Sequence, residues 1–144
     1  MRILVCGARH FEDAETVSRE LARAHADVPI TVLIHGCVAG VGVLAEAWAR
    51  RHGIAVIRYP PNWEFYGKKA ERLRNAFMIE DSRADLVLAF PGGRHTADLV
   101  YRARLADIAV LVIAGGDADP EDDADLRPAA GVQVVGQPSR AMTG

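Results

Sequence analysis

The stretch Leu86-Val87-Leu88-Ala89-Phe90-Pro91-Gly92-Gly93-Arg94-His95-Thr96-Ala97-Asp98 decides the fold. It opens as an apolar run of strand length, breaks at the proline and two glycines, and predicts a helix with Thr96 as N-cap and Asp98 in the first turn. A strand, a glycine turn and a helix start bring backbone N–H groups to the positive end of a helix dipole. Adjacent glycines also let a ligand approach the backbone, because they carry no Cβ. The stretch predicts an anion site, most often for phosphate, with a plain strand-to-helix turn as the alternative.

The composition is that of a globular protein, with half of the 144 residues hydrophobic and a quarter charged. The length fits one domain. The formal net charge of −2 does not indicate a general nucleic-acid surface. No apolar run reaches the roughly 18 residues that span a bilayer, and the first residues are typical of a strand rather than a signal peptide. We therefore expect a cytoplasmic protein that binds neither membrane nor nucleic acid.

The cysteines and histidines do not predict a disulfide framework or a metal site. Cys6 and Cys37 are expected to remain thiols in a reducing compartment. The five histidines lack metal-ligand spacing, so we expect no metal and no cofactor. Cys37 lacks a base at a supporting spacing and is expected to be a small buried hydrophobe.

Strand-like apolar runs alternate with helical patterns over residues 1–113. The strands are predicted at 3–6, 30–34, 54–57, 86–90 and 108–113. In the helix predicted at 68–81, Ala70, Leu73 and Phe77 share one face, which we expect to point inward. The alternation predicts a Rossmann-like three-layer α/β sandwich with a central, mainly parallel sheet.

The composition changes after residue 116. Residues 117–125 hold six acids and one proline, which is typical of a solvated linker. We expect a Rossmann-like domain at 1–116 and an acidic linker and tail at 117–144. Residues 132–135 could add a short edge strand to the sheet.

Ligands of such sheets bind outside the carboxyl ends of the strands. Three glycine-containing loops fall there, at residues 7–11, 35–42 and 91–96. The dinucleotide fingerprint and the P-loop pattern are both absent, so neither a standard NAD site nor a P-loop ATPase is supported. The candidate ligand-binding residues are Gly7, Arg9, His35, Gly36, Gly40, Asn75, Pro91, Gly92, Gly93, Arg94, His95 and Thr96.

Several polar side chains allow two interpretations each. Arg9 follows the first strand and either forks onto a phosphate or lies on the surface. Arg74 flanks a buried helix stripe, where a charge needs a partner or a ligand. Asn75 either contacts a base or ribose, or bonds local backbone. Asp98 either forms an i,i+4 pair with Arg102 or assists glycosidic cleavage.

The loop after the third predicted strand is stiffened by two prolines and rich in aromatic residues. Its aromatic residues are Tyr59, Trp63, Phe65 and Tyr66. They form either a hydrophobic plug under a long loop or a wall that stacks on a ligand, and both interpretations remain open.

Five motifs, in order along residues 1–113, resemble a known family. They are Gly7-x-Arg9-x-Phe11-x-Asp13, His35-Gly36, Ala45-x-x-Trp48-Ala49, Arg74-Asn75-x-x-Met78 and Phe90-Pro91-Gly92-Gly93-x-x-Thr96-Ala97-Asp98. The family is the small YspA/YpsA-related branch of the SLOG superfamily, and the resemblance implies a Rossmann-like fold and a nucleotide ligand. The related LOG enzymes cleave the N-glycosidic bond of cytokinin nucleoside monophosphates, and the resemblance implies that Arg74 and Asp98 are catalytic if this chain is an enzyme. Other relatives bind DNA during transformation or sense nucleotide-derived signals.

The chain departs from that family at three positions. Ala39 stands where the family has an arginine, Gly42 where it has an aspartate, and His95 where its turn has a third glycine. Two charged ligand contacts are therefore missing. Asp98 is also one methylene shorter than the glutamate of the LOG enzymes, which disfavours catalysis more than binding.

We therefore expect a protein that binds a nucleotide-like small molecule, as a sensor or accessory module. The first alternative is a nucleoside-5′-monophosphate phosphoribohydrolase. The second is a structural dimerisation module with a vestigial pocket. Assembly into a homodimer or a larger homo-oligomer is left open by the sequence.

Overall fold

The computed structural model describes residues 1–37 and 39–114. The predicted acidic tail at 117–144 and its edge strand at 132–135 lie outside these residues. Strands and helices alternate as β1 (Arg2–Cys6), α1 (Ala14–Asp27), β2 (Val32–His35), α2 (Val41–Arg51), β3 (Ala55–Arg58), α3 (Trp63–Tyr66), α4 (Ala70–Ser82), β4 (Leu86–Ala89), α5 (Arg94–Leu105) and β5 (Ala109–Val112). A short 3-10 turn, Gly67–Lys69, joins α3 to α4.

The five strands form one parallel sheet in the order β3-β2-β1-β4-β5. The predicted Rossmann-like α/β sandwich is therefore confirmed. The chain proceeds from β1 outward to β3, and then returns across the sheet to place β4 on the other side of β1. This reversal opens a crevice outside the carboxyl ends of β1 and β4, which is where ligands of such sheets bind.

Two apolar layers cover the sheet. Alternate residues of β1 point to opposite faces, so that Ile3 and Val5 enter one layer and Leu4 enters the other. The first layer contains Leu21 of α1 and Trp48 of α2. The second contains residues of α4 and α5, and α4 packs along α5 above the sheet.

The start of α5 differs from the sequence prediction. The helix begins at Arg94 with Gly93 as its N-cap, so that Thr96 is its third residue rather than its cap. Asp98 is consequently in the second turn, where it is buried. The prediction favoured a hydroxyl cap, whereas Gly93 occupies the cap position without any side-chain hydrogen bond.

The inward face of α4 also differs from the prediction. Leu73 and Phe77 are 37% and 56% exposed, whereas Arg74, Asn75 and Met78 are buried. Periodicity placed the apolar residues inward, but polar residues of α4 find hydrogen-bond partners in the interior. The helix is therefore rotated about its axis, relative to the prediction, so that the polar stripe formed by Arg74 and Asn75 faces the interior.

For α5, the sequence predicts Leu99, Ala103 and Ala106 on the inward face. Leu99 and Ala103 are buried, whereas Ala106, just after the helix, is exposed.

None of the helices in the described part of the chain has the length and apolar character that a membrane span requires.

Truncating Trp48, a large side chain of the first apolar layer, is expected to cost much of the stability of the protein. Trp48 is 2% exposed and stacks on His52 with ring centroids 4.2 Å apart. We expect Trp48→Ala to lower the free energy of unfolding by about 3–5 kcal/mol, measured by urea denaturation. Val43→Ala on the same helix is the control, because Val43 is 61% exposed and should change stability by about 0.5 kcal/mol or less. Equal losses in the two variants would contradict this packing.

Candidate functional site

The three predicted glycine loops meet at the carboxyl edge of the sheet. The amide of Ala8, in the loop after β1, donates a hydrogen bond of 2.9 Å to the carbonyl of Pro91, in the loop after β4. Gly40, in the loop after β2, has φ +80° and lies against the carbonyls of Ala8 and Arg9, where a Cβ would clash. The loop after β1 is therefore enclosed between the other two.

Two of the helices that begin at this edge, α2 and α5, start from a glycine. Gly40 precedes α2 and Gly93 precedes α5, and neither cap forms a side-chain hydrogen bond. By contrast, Asp13 caps α1 and Asn62 caps α3 through their side-chain oxygens. A side-chain cap would occupy first-turn amides with its own oxygen. Glycine caps keep the positive ends of α2 and α5 accessible to an anion.

Arg74 is a buried side chain, 7% exposed, that contacts three different parts of the site. Its Nη1 donates to the carbonyl oxygens of Gly36 and, at 3.2 Å, Tyr59. Its Nε donates to Asn75 Oδ1 at 2.9 Å. Burial lowers the pKa of the guanidinium, and the nearby Glu71 carboxylate opposes that shift. A Cβ on Gly36 would overlap the guanidinium of Arg74, so a larger residue there would displace that side chain.

Asn75 extends these contacts to α5. Its Nδ2 donates to the carbonyl of His95 at 3.2 Å and to Asp98 Oδ2 at 3.0 Å. The same Oδ2 accepts from Arg102 Nε at 2.9 Å, so the predicted i,i+4 pair is present. Asp98 is 2% exposed. Its carboxylate is thus held inside the protein by two donors.

His95 takes the place of a glycine in the resembled family. Its Nε2 lies 2.6 Å from Glu71 Oε1 on α4, and both side chains are buried. The imidazole therefore forms a further connection between α4 and the first turn of α5.

His35, at the end of β2, is held by two partners. Its Nδ1 accepts a hydrogen bond of 3.0 Å from the amide of Cys37, and its Nε2 lies 2.7 Å from Glu46 Oε1. These contacts require the neutral tautomer with its proton on Nε2. Burial lowers the pKa of His35, although the Glu46 carboxylate opposes the shift. A Cβ on Gly42 would lie only 3.0 Å from Nδ1, so the glycine provides the space that the ring occupies.

Glu46 is the centre of a cluster on the outer side of His35. Arg58 donates to both of its oxygens, and Arg50 Nη2 donates to Oε2 at 2.7 Å. These guanidinium groups, Arg58 first, hold the pKa of Glu46 well below its usual range. The cluster ties α2 to the end of β3.

Two spaces of different size adjoin Arg74. A cavity of about 30 Å³ lies beneath the loops, and it has room for a water molecule or two but not for a nucleotide. A groove of about 680 Å³ lies on the other side of Arg74, beside α3 and α4. The cavity is lined by Val5, Cys6, Gly7, His35, Gly36, Gly42, Arg74, Asn75, Met78, His95, Thr96 and Leu99.

Many of the predicted site residues therefore lie close together. The cavity brings together Gly7, His35, Gly36, Arg74, Asn75, His95 and Thr96, while Gly40, Pro91 and Gly92 pack around Ala8. Arg9, in the loop after β1, and Arg94, the first residue of α5, are half-buried, whereas Asp98 does not line the cavity. Cys37 is exposed with φ +64°, so the expectation of a buried residue was wrong.

Sequence reasoning did not identify Glu46, Arg58 or Glu71. Glu46 precedes Arg50 by four residues and Glu71 precedes Arg74 by three, and these spacings were the available signals. Arg58 contacts Glu46 across 12 residues of sequence, which no local spacing reveals. Over residues 1–37 and 39–114, no group of three or more acidic, histidine or cysteine residues could hold a metal ion.

Comparisons with known proteins identify a family and a relative of this chain. A model of the YspA, cpYpsA-related SLOG family matches residues 1–66, which include the loops after β1 and β2. The gene 61 protein of Mycobacterium phage D29 is 36% identical over 118 residues, covering 76% of this chain and 94% of that protein.

The environment of His35 predicts a pH dependence of stability. Because the pKa of His35 is lowered from 6.5 in the folded protein, the unfolded chain binds more protons just below that value. Stability is therefore complete above about pH 6.5 and falls on acidification. We expect the melting temperature to drop between about pH 7.5 and about pH 5.5, and His35→Gln to reduce this drop. His10→Gln, at an exposed histidine, is the control. An unchanged pH slope in His35→Gln would contradict the assignment.

Proposed function

The chain belongs to the YspA, cpYpsA-related SLOG family, and we propose that it binds a nucleotide or nucleotide-derived ligand at the carboxyl ends of β1, β2 and β4. Membership of this family suggests a nucleotide-related function. In the proposal, a phosphate of the ligand lies at the turn formed by residues 91–96. The ligand regulates the protein, which acts as a sensor or accessory module.

The observation that carries the proposal is the pair of glycine-capped helices at the crevice. Of the other described α-helices, α1 and α3 begin with a side-chain oxygen on a first-turn amide, whereas α4 continues from the 3-10 turn without a side-chain cap. At the crevice, Gly40 and Gly93 provide no such oxygen. A helix of 12 residues such as α5 presents about half a positive charge at its N-terminus. A phosphate oxygen would accept hydrogen bonds there without displacing a cap.

The cationic side chains around the turn have different roles in the proposal. Arg9 lies in the loop after β1 and Arg94 is the first residue of α5, and both would pair with phosphate oxygens. Arg74 already donates to Gly36 and Tyr59. It would position the loops on which the ligand rests rather than bind the phosphate itself.

The contacts of Asp98 favour binding over glycosidic cleavage. A general acid for the leaving base has to reach it directly or through one water. Asp98 Oδ2 instead accepts from Asn75 and Arg102, and the residue is 2% exposed. Ala39 and Gly42 provide neither of the charged groups that the family's second loop supplies. A phosphoribohydrolase is therefore the less supported alternative.

Replacing the glycine cap of α5 tests the phosphate position. We expect Gly93→Asp to preserve or raise the melting temperature, because aspartate is at least as good an N-cap as glycine. The same carboxylate would occupy the first-turn amides and repel phosphate, and would weaken nucleotide binding by about tenfold or more. Isothermal titration calorimetry with the mono-, di- and triphosphates of the four common ribonucleosides provides the measurement.

Gly93→Asn is the matched control, since it fills the same space with a neutral cap. It should weaken binding less than Gly93→Asp. Wild-type affinity in a folded Gly93→Asp protein would contradict the proposed phosphate position.

A further inference from the structure

An aromatic groove lies beside α3 and α4, and the unexpectedly exposed residues Leu73 and Phe77 line it. Its volume is about 680 Å³, which is within the usual range for small-molecule sites. Three of its apolar lining residues are Tyr66, Leu73 and Phe77, which are 45%, 37% and 56% exposed. The plug interpretation of the aromatic loop therefore does not hold for Tyr66.

The walls of the groove are held in place before any ligand arrives. Tyr59 donates its hydroxyl to Asp81 Oδ2 at 2.6 Å and contacts the ring of Phe77 edge-on, with centroids 5.8 Å apart. Asn62 caps α3 by accepting from the amide of Phe65 at 3.0 Å. The rings of Tyr59 and Phe77 and the backbone that carries Tyr66 are thus preorganised.

The chemistry of the groove fits a planar ring on an anionic molecule. Arg58 and Arg74 are among the described residues that line it, and none of those residues is acidic, although Arg58 is already paired with Glu46 outside the groove. Tyr66, Leu73 and Phe77 provide apolar surface. Aromatic faces of this kind stack on nucleobases with little preference for one base over another.

Arg74 connects the groove with the phosphate crevice. It lines both the groove and the cavity beneath the loops. One of its nitrogens donates to the carbonyls of Gly36, beside the crevice, and Tyr59, beside the groove. A ligand that crosses the loop after β2 would therefore touch both regions.

The strand order sets the separation of the two regions. The groove follows β3 and the turn at 91–96 follows β4, with β2 and β1 between them. Three strand spacings amount to ~14 Å. In a nucleoside monophosphate, only one sugar separates the base from the phosphate. A second or third phosphate extends that reach.

We infer that the groove beside α3 and α4 binds the base of a nucleoside di- or triphosphate whose terminal phosphate lies at the turn 91–96. The inference rests on the proposed function and narrows its ligand class. Tyr66 and Phe77 stack on the base. The phosphate chain crosses the loops after β2 and β1. A monophosphate reaches only one of the two regions at a time.

Calorimetry with ligands that contain one or both parts tests this inference. For wild-type protein, the best-bound nucleoside di- or triphosphate should bind about tenfold or more tightly than the monophosphate of the same base. Tyr66→Ala should weaken that nucleotide by about tenfold and leave the affinity for inorganic pyrophosphate unchanged. Leu73→Ala should weaken it less. The matched control for Leu73→Ala is Leu105→Ala, because Leu105 is 67% exposed at the end of α5 and does not line the groove.

The outcomes separate the groove from the phosphate site. Equal affinity for mono- and diphosphates, or wild-type nucleotide affinity in folded Tyr66→Ala, would overturn the groove assignment. If pyrophosphate binding were still lost in Gly93→Asp, the proposed function would stand without the groove. If wild-type protein bound none of the nucleotides and no pyrophosphate, the proposed function and the inference would both be overturned.

Discussion

The rest of the site depends on the hydrogen bonds that the buried guanidinium of Arg74 donates. This guanidinium joins the loop after β2 through Gly36 and the loop after β3 through Tyr59. Asn75 accepts a hydrogen bond from Arg74 and donates one to Asp98, and so connects α4 with the first turns of α5. Removing a buried charged donor leaves its acceptors unsatisfied, which costs more than an ordinary hydrogen bond. The relative positions of three site elements are therefore coupled through one side chain.

This buried polar stripe explains two features that otherwise look unrelated. Because Arg74 and Asn75 face the interior, Leu73 and Phe77 of the same helix are turned outward. The apolar face that results forms a wall of the groove, close to the site. The same stripe fills the space beneath the loops and leaves only a small cavity there. A nucleotide is thus expected to lie across the loops rather than within the core.

The sequence predicts the sheet and its glycine loops because strand runs and breaks are local signals. The Asp98–Arg102 pair was also foreseeable, since four residues along a helix place side chains on one face. Two predictions were wrong: that Thr96 caps α5, and that Leu73 points inward. Both features depend on tertiary contacts, which decide the cap residue and the rotation of a helix about its axis. Arg74 finds its carbonyl partners 38 and 15 residues away, and no pattern in the sequence encodes those distances.

The most direct test of the account is to observe the backbone amides at the start of α5 during ligand titration. In ¹⁵N–¹H correlation spectra of the full chain, a nucleoside diphosphate should shift the amides of residues 92–96 saturably. The corresponding nucleoside, which lacks phosphate, should leave those amides nearly unchanged. If the diphosphate shifted no amide in 92–96, or produced its saturable shifts only elsewhere, the central claim of an anion site at this helix start would be contradicted.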